Sequence, residues 1–186
     1  PNKLVTGSGT FFKVFTPYSK SFRNELNQDY LNLFPAPKKQ QNMLSDSDRI
    51  PEYQLKDELK ENALTAYEPG EKASINSLEN FIENKITNYK VERDFPSKDS
   101  TSKLSIYLSS GIISAKTCVA NLLTKSEDLP GSGEYSWFNE IIWREFYKYI
   151  IFHYPRVSMR KSFNEKYDAL QLSLIHISEP TRLVSI

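Results

Sequence analysis

Cysteine is nearly absent from this chain of 186 residues: Cys118 stands alone. A disulfide framework and a multi-cysteine metal site are therefore excluded. Two histidines are too few for a histidine-based zinc site. Neither sign of charge prevails, since 24 Lys and Arg face 23 Asp and Glu for a net charge of +1. That balance excludes a basic nucleic-acid tail and an acidic solvating segment, while leaving room for a local basic groove. No apolar run approaches the length of a membrane helix, so no membrane partner is expected. The opening Pro1-Asn2-Lys3-Leu4-Val5 lacks an initiator Met, a basic n-region and an apolar h-region. No targeting segment is visible, and the chain reads as one cut out of something longer.

Aromatic residues make up 13% of the chain, too many for a disordered polypeptide. Residues 1–17 contain Gly, Ser and Thr and one alternating stretch, Phe11 to Phe15, closed by Thr16-Pro17; this predicts a short strand or extended linker. Phe22, Leu26 and Tyr30 recur at four-residue spacing and predict a short amphipathic helix over 18–31. Pro35, Pro37 and Pro51 then mark residues 32–54 as a surface connection. After Pro69-Gly70, with Glu71 in the first turn, one apolar stripe through Ile75, Leu78, Phe81, Ile82, Ile86 and Tyr89 predicts a continuous helix. Ser100, Thr101 and Ser102 supply N-cap chemistry for a short helix from about Leu104 to Gly111. Ser114 caps another helix, with Cys118, Val119 and Leu122 on its inner face. The turn 130–133 precedes a helix over 136–153 that Pro155 stops. The expected fold class is all-α.

The last of these helices has two faces that do not look solvated. Phe138, Ile142, Phe146 and Tyr149 form a core stripe. Trp137, Glu140, Trp143, Arg144 and Tyr147 fall within about 120° on roughly the opposite side. Trp and Tyr offer flat surfaces for stacking a ring, Arg a planar fork for phosphate, and Glu an acceptor for the imide or amide edge of a base. Those residue types suggest a pocket for a flat heteroaromatic ligand. The alternative is a second packing face with a structural Glu140–Arg144 pair at i, i+4. Arg93 beside Asp94 reads as a surface pair, and His153 and Cys118 read as packed residues.

Four ordered elements resemble one family. Asn139-Glu-Ile-Ile-Trp-Arg-Glu-Phe-Tyr147 resembles the N-E-L-I-W-R-E-F-Y signature of DNA photolyases. Arg93-Asp-Phe-Pro96 and Thr101-Ser-Lys-Leu-Ser105 resemble the upstream R-D-x-P and T-S-R-L-S elements of the photolyase/cryptochrome family. Lys13 to Tyr18 resembles the segment leading from the antenna domain to the FAD domain. The wording of the signature favours class I cyclobutane pyrimidine dimer photolyases over cryptochromes and the (6-4) branch. The resemblance covers about residues 10–170.

It implies a light-driven deoxyribodipyrimidine photo-lyase with reduced FAD inside an all-helical domain, acting on UV-damaged DNA as a monomer. Tyr89, Thr101, Ser102, Lys103, Leu104, Ser105, Trp137 and Arg144 would contact FAD. Arg93, Glu140, Trp143 and Tyr147 would face DNA, with Glu140 and Trp143 the catalytic residues bordering the lesion. Lys103 stands where the family usually has Arg, Ser100 where Gly is common and Ile106 where Pro is frequent. The division implied is a linker over 1–17 from a missing α/β antenna domain, and the first half of the FAD domain over 18–171. The antenna chromophore, folate or deazaflavin, would sit in the missing domain. Half a pocket is expected to bind FAD poorly and to repair nothing by itself. Leu172 to Arg182 looks like the translation of a transposase sequencing adapter, so 172–186 is expected to be non-native. Cytoplasm is the expected location, or a nucleus or organelle in a eukaryote. A cryptochrome-like photoreceptor without repair activity is the alternative, and a cofactor-free helical interaction module a third.

Overall fold

The computed structural model describes residues 4–26, 33, 35, 38, 67–125 and 130–170. The non-native reading of 172–186 and the 32–54 connection fall outside them, apart from the isolated positions 33, 35 and 38. Six α-helices account for the described order: α1 (Phe15–Asn24), α2 (Glu71–Asn84), α3 (Ile86–Glu92), α4 (Ser105–Ser110), α5 (Ala115–Lys125) and α6 (Gly133–His153). Two short 3-10 turns, Pro155–Met159 and Glu165–Tyr167, follow. No strand occurs among the described residues, and the fold class is all-α as the hydrophobic periodicity implies. No helix among them is long and apolar enough to cross a membrane.

The chain divides into two compact units, one running from Ser19 to Trp143 and the other joining residues up to Tyr18 with those from Arg144 onwards. In the larger unit α2 packs on α5. Leu78, Phe81 and Ile82 from α2 and Cys118, Val119 and Leu122 from α5 are buried, with Trp137, Phe138, Ile141 and Ile142 from α6. Removing that much apolar surface from water is what holds such short helices, since each is marginal by itself.

The stripe from Ile75 to Tyr89 predicts one helix, and the structure has two. The break falls at Lys85, at φ −126° and ψ −29°, whose N–H still bonds to the Phe81 carbonyl. At Gly133 the first turn of α6 lies against the start of α3. A Cβ there would stand 1.8 Å from the Ile86 carbonyl oxygen and 2.8 Å from that of Thr87. Only glycine admits such an approach between backbones. The Ser132 hydroxyl caps the same end by accepting from the Tyr135 N–H at 3.0 Å. Ser114 caps α5 as expected, accepting from the Thr117 N–H at 2.9 Å.

In the smaller unit the expected strand or linker at 11–15 is not a strand. Helix α1 already begins at Phe15, while residues 27–31 of the expected 18–31 helix lie outside the description. The segment before α1 is held by a side chain in place of a sheet partner. The Tyr149 hydroxyl donates to the Leu4 carbonyl at 2.8 Å and accepts from the Phe12 N–H at 3.1 Å. Burial pushes this phenol's pKa above its usual value. Phe11 stacks on His153 with centroids 3.7 Å apart. Further on, Arg156 binds the Ser162 carbonyl at 2.8 Å and pairs with Asp168, tying down the last described turns.

Candidate functional site

The loop from Asp99 to Ser105 enters α4 through a left-handed residue. Lys103 has φ 52°, and Leu104 after it returns to the right-handed region at φ −83° and ψ −3°. Successive residues of opposite hand are the backbone geometry from which concave N–H nests are built. The amides of residues 101–105 donate to no backbone acceptor among the described residues. Leu104 is buried and anchors the loop in the core, whereas Thr101, Lys103 and Ser105 are exposed.

The loop is braced from below by charge. Asp99 sits between two ammonium groups, with Lys103 Nζ at 2.6 Å and Lys85 Nζ at 2.7 Å. Hydrogen bonds from Lys103 and then Lys85 hold its carboxyl at about 2, well below the usual carboxylate range. Glu92 takes Lys98 Nζ on one oxygen and the Ser100 hydroxyl on the other, both at 2.7 Å. The sequence predicts a capping role for Ser100, Thr101 and Ser102. The structure corrects it: Ser100 is buried and committed to Glu92, and no side chain caps α4.

A second cluster in the same unit joins α2, α3 and the first half of α6. Trp137 is buried against Phe81, their centroids 5.2 Å apart, and Tyr89 meets Phe81 edge-on at 5.6 Å. Arg93, just past α3, lies over the Tyr89 ring at 5.8 Å. Its Nη1 donates to Glu140 Oε1 at 2.5 Å, and its Nε stands 3.7 Å from Asp94. That hydrogen bond from Arg93 to Glu140 raises the guanidinium's pKa further, while burial first, then the Glu140 charge, raises that of the Tyr89 phenol. Trp143 is half-buried one turn along from Glu140.

Tyr89, Arg93, Trp137 and Glu140 are thus brought together, and Thr101 to Ser105 form a separate station in the same unit. Arg144 and Tyr147 belong to the smaller unit. There Arg144 is half-buried and donates to Glu145 at 2.6 Å, and Tyr147 is 59% exposed. Within the larger unit Glu140 pairs with Arg93, and within the smaller one Arg144 pairs with Glu145. Cys118 is fully buried and His153 is stacked, so both are packing residues as the sequence suggests. Sequence reasoning missed Asp99, Glu92, Lys85 and Phe81. The i, i+4 spacing of Asp99 and Lys103 is the one signal that could have found a member of this set.

No protein-family model matches the chain. It is 36% identical over 154 residues to the protein of Buchnera aphidicola subsp. Acyrthosiphon pisum named deoxyribodipyrimidine photo-lyase, covering 81% of this chain and 31% of that one. The Escherichia coli K12 protein of the same name is 32% identical over 173 residues, covering 92% of this chain and 36% of that one. In structure the chain resembles a bacterial class III photolyase from Agrobacterium tumefaciens, with a TM-score of 0.70 and 25% identity over 95% of this chain and 37% of the other. The chain spans about a third of the length of the curated relatives it matches.

Proposed function

We propose that this chain, whose relatives support membership of the photolyase family, forms the first half of the helical FAD- and DNA-binding domain of a class I cyclobutane pyrimidine dimer photolyase. Repair of UV-damaged DNA is proposed for the longer, monomeric protein, acting in the cytoplasm, or in a nucleus or organelle in a eukaryote. The chain alone would hold FAD weakly and repair nothing. FAD, when bound in its reduced form and excited by blue light, supplies the electron that splits the dimer; an antenna chromophore, folate or deazaflavin, belongs to the missing domain.

The observation that carries this reading is the nest at Lys103 and Leu104, and its donor set fits a diphosphate. Amides without a backbone acceptor and two exposed hydroxyls at Thr101 and Ser105 lie on a loop that the core anchors through Leu104, and the Lys103 ammonium on the same loop is held by Asp99 at 2.6 Å. Lys103 provides a point charge where an arginine would provide a fork. Ser102 takes part through its amide, its carbonyl accepting from Ser77 Oγ at 3.4 Å. Tyr89 and Trp137 form an aromatic wall with Phe81 and keep water from the flavin side. Arg93 offers a cation to a DNA phosphate. Glu140 accepts hydrogen bonds from the imide edges of a flipped dimer, and Trp143 packs against the dimer's apolar face. Extruding a damaged, poorly stacked base pair costs only a few kcal/mol, which favours lesions over intact DNA. The proposal is confined to the larger unit, so Arg144 and Tyr147 are left out of it.

The test is a repair assay on the protein extended through the remaining length of its relatives. Under blue light it should remove dimers from an oligonucleotide, and Trp143→Ala should abolish most of that activity while retaining flavin. Flavin retention without any repair by the parent would instead favour the photoreceptor reading. Absence of flavin would overturn both.

A further inference from the structure

The two charged residues assigned to DNA on this reading are bonded to each other. Arg93 Nη1 and Glu140 Oε1 are 2.5 Å apart, although the residues lie 47 positions apart on different elements. The pair sits at the surface, with side-chain exposures of 35% for Arg93 and 44% for Glu140. Tyr89 supports the guanidinium from one face, and Asp94 lies beside its Nε. Arg93 therefore already carries a carboxylate on Nη1, one of the nitrogens a phosphate would need.

We propose that Glu140 masks Arg93 against the phosphates of intact DNA, and that a pyrimidine dimer lifts the mask by giving Glu140 donors of its own. The inference rests on the photolyase reading. Intact DNA offers Arg93 an anion but offers Glu140 nothing, because its imide groups are engaged in base pairs. Arg93 would then have to exchange one anion for another while the displaced carboxylate stays beside a phosphate of like charge. A flipped dimer presents imide N–H groups to Glu140, so both halves of the pair find new partners at once. Exposed ion pairs shift an equilibrium by only about a fewfold, which makes the exchange easy enough to be reversible. Glu140 thus acts as a specificity-determining residue before any chemistry begins.

The experiment uses the protein extended through the remaining length of its relatives and fluorescein-labelled duplexes, one intact and one carrying a single thymine dimer, titrated by anisotropy in the dark between about 50 and 200 mM NaCl. Glu140→Gln should bind the intact duplex about two- to fivefold more tightly than the parent. Its plot of log affinity against log salt should steepen by about 0.9, the increment for one more phosphate contact. Its preference for the dimer should fall. In an Arg93→Ala background the same substitution should produce neither the gain nor the steeper slope. Glu140→Asp, which keeps the charge but withdraws it, should show a smaller gain and serves if the glutamine variant fails to fold. DNA binding that is unchanged by either Glu140 substitution would overturn the mask and leave the DNA reading standing. A gain that persists without Arg93 would reduce the effect to net charge and also overturn it. No binding of either duplex by parent and variants would overturn the mask together with the DNA reading of this surface.

Discussion

Gly133 offers the sharpest test of the packing beneath the site. In Gly133→Ala the new methyl would lie 1.8 Å from the Ile86 carbonyl oxygen, 2.8 Å from that of Thr87 and 2.9 Å from the Ile86 carbonyl carbon. Ordinary contact begins at 3.4 Å, and every atom met belongs to the backbone, so no rotamer change relieves the clash. The start of α6 must retreat from α3 by about 1.6 Å, the shortfall at the closest contact. Trp137 and Phe138 lie one turn further along the same helix, 3% and 1% exposed, and would be drawn out of register with Phe81. Overpacking of this kind costs about 1–3 kcal/mol. The better helix propensity of alanine returns less than about 1 kcal/mol at a first-turn position. A net loss near 2 kcal/mol corresponds to a fall in Tm of roughly 4–8 °C for a chain of this size. Urea unfolding monitored by tryptophan fluorescence would show it as a lower midpoint with an unchanged slope. Gly111→Ala is the control, because Gly111 at φ 77° has nothing within 4 Å, so only the left-handed backbone opposes the change. If Gly133→Ala proves as stable as the parent, the seating of α6 on α3 is wrong.

Trp137→Ala should destabilise the chain by about 3–5 kcal/mol, as large-to-small changes in an aromatic core do, and should be read by calorimetry. Tyr149→Phe should cost about 1–3 kcal/mol, since it leaves the Phe12 N–H and Leu4 carbonyl without their buried partner. Hydrogen exchange at the Phe12 amide should accelerate with it. The carboxyl of Asp99 is depressed in the folded state from 3.8 to about 2, so its contribution is present above the unfolded value and is lost as pH falls through the folded one. The urea midpoint of the parent should therefore decline between pH 4 and pH 2 more steeply than that of Asp99→Asn, by a small margin because the pair is exposed. Equal slopes would show that the lysines do not hold Asp99 in solution.

Helix type and position were legible wherever apolar periodicity was strong. The α6 stripe of Phe138, Ile142, Phe146 and Tyr149 is buried as its spacing predicts. The break at Lys85 was not legible, because Ile82 and Ile86 continue the i, i+4 pattern across it and the residue that abuts α3, Gly133, lies 48 positions beyond the break. Glu140 stood out by composition, but a helix wheel knows only its own helix. It suggests Arg144 as a partner and cannot foresee the guanidinium from beyond α3 that pairs with Glu140. The hydroxyls at 100–102 mislead for a related reason: a serine before a helix looks like a cap whether or not a carboxylate such as Glu92 competes for it. Left-handed Lys103 had no signal at all, since lysine carries no preference for that conformation.

The clasp made by the Tyr149 hydroxyl also sets a schedule for biosynthesis. Leu4 and Phe12 leave the ribosome well before their shared partner, which lies 145 and 137 residues downstream. At about 5–20 residues per second, that separation keeps the segment waiting roughly 7–30 s for its tyrosine. Through that interval Phe11 and Phe12 travel as uncovered aromatic surface, a window in which a nascent-chain chaperone has something to hold.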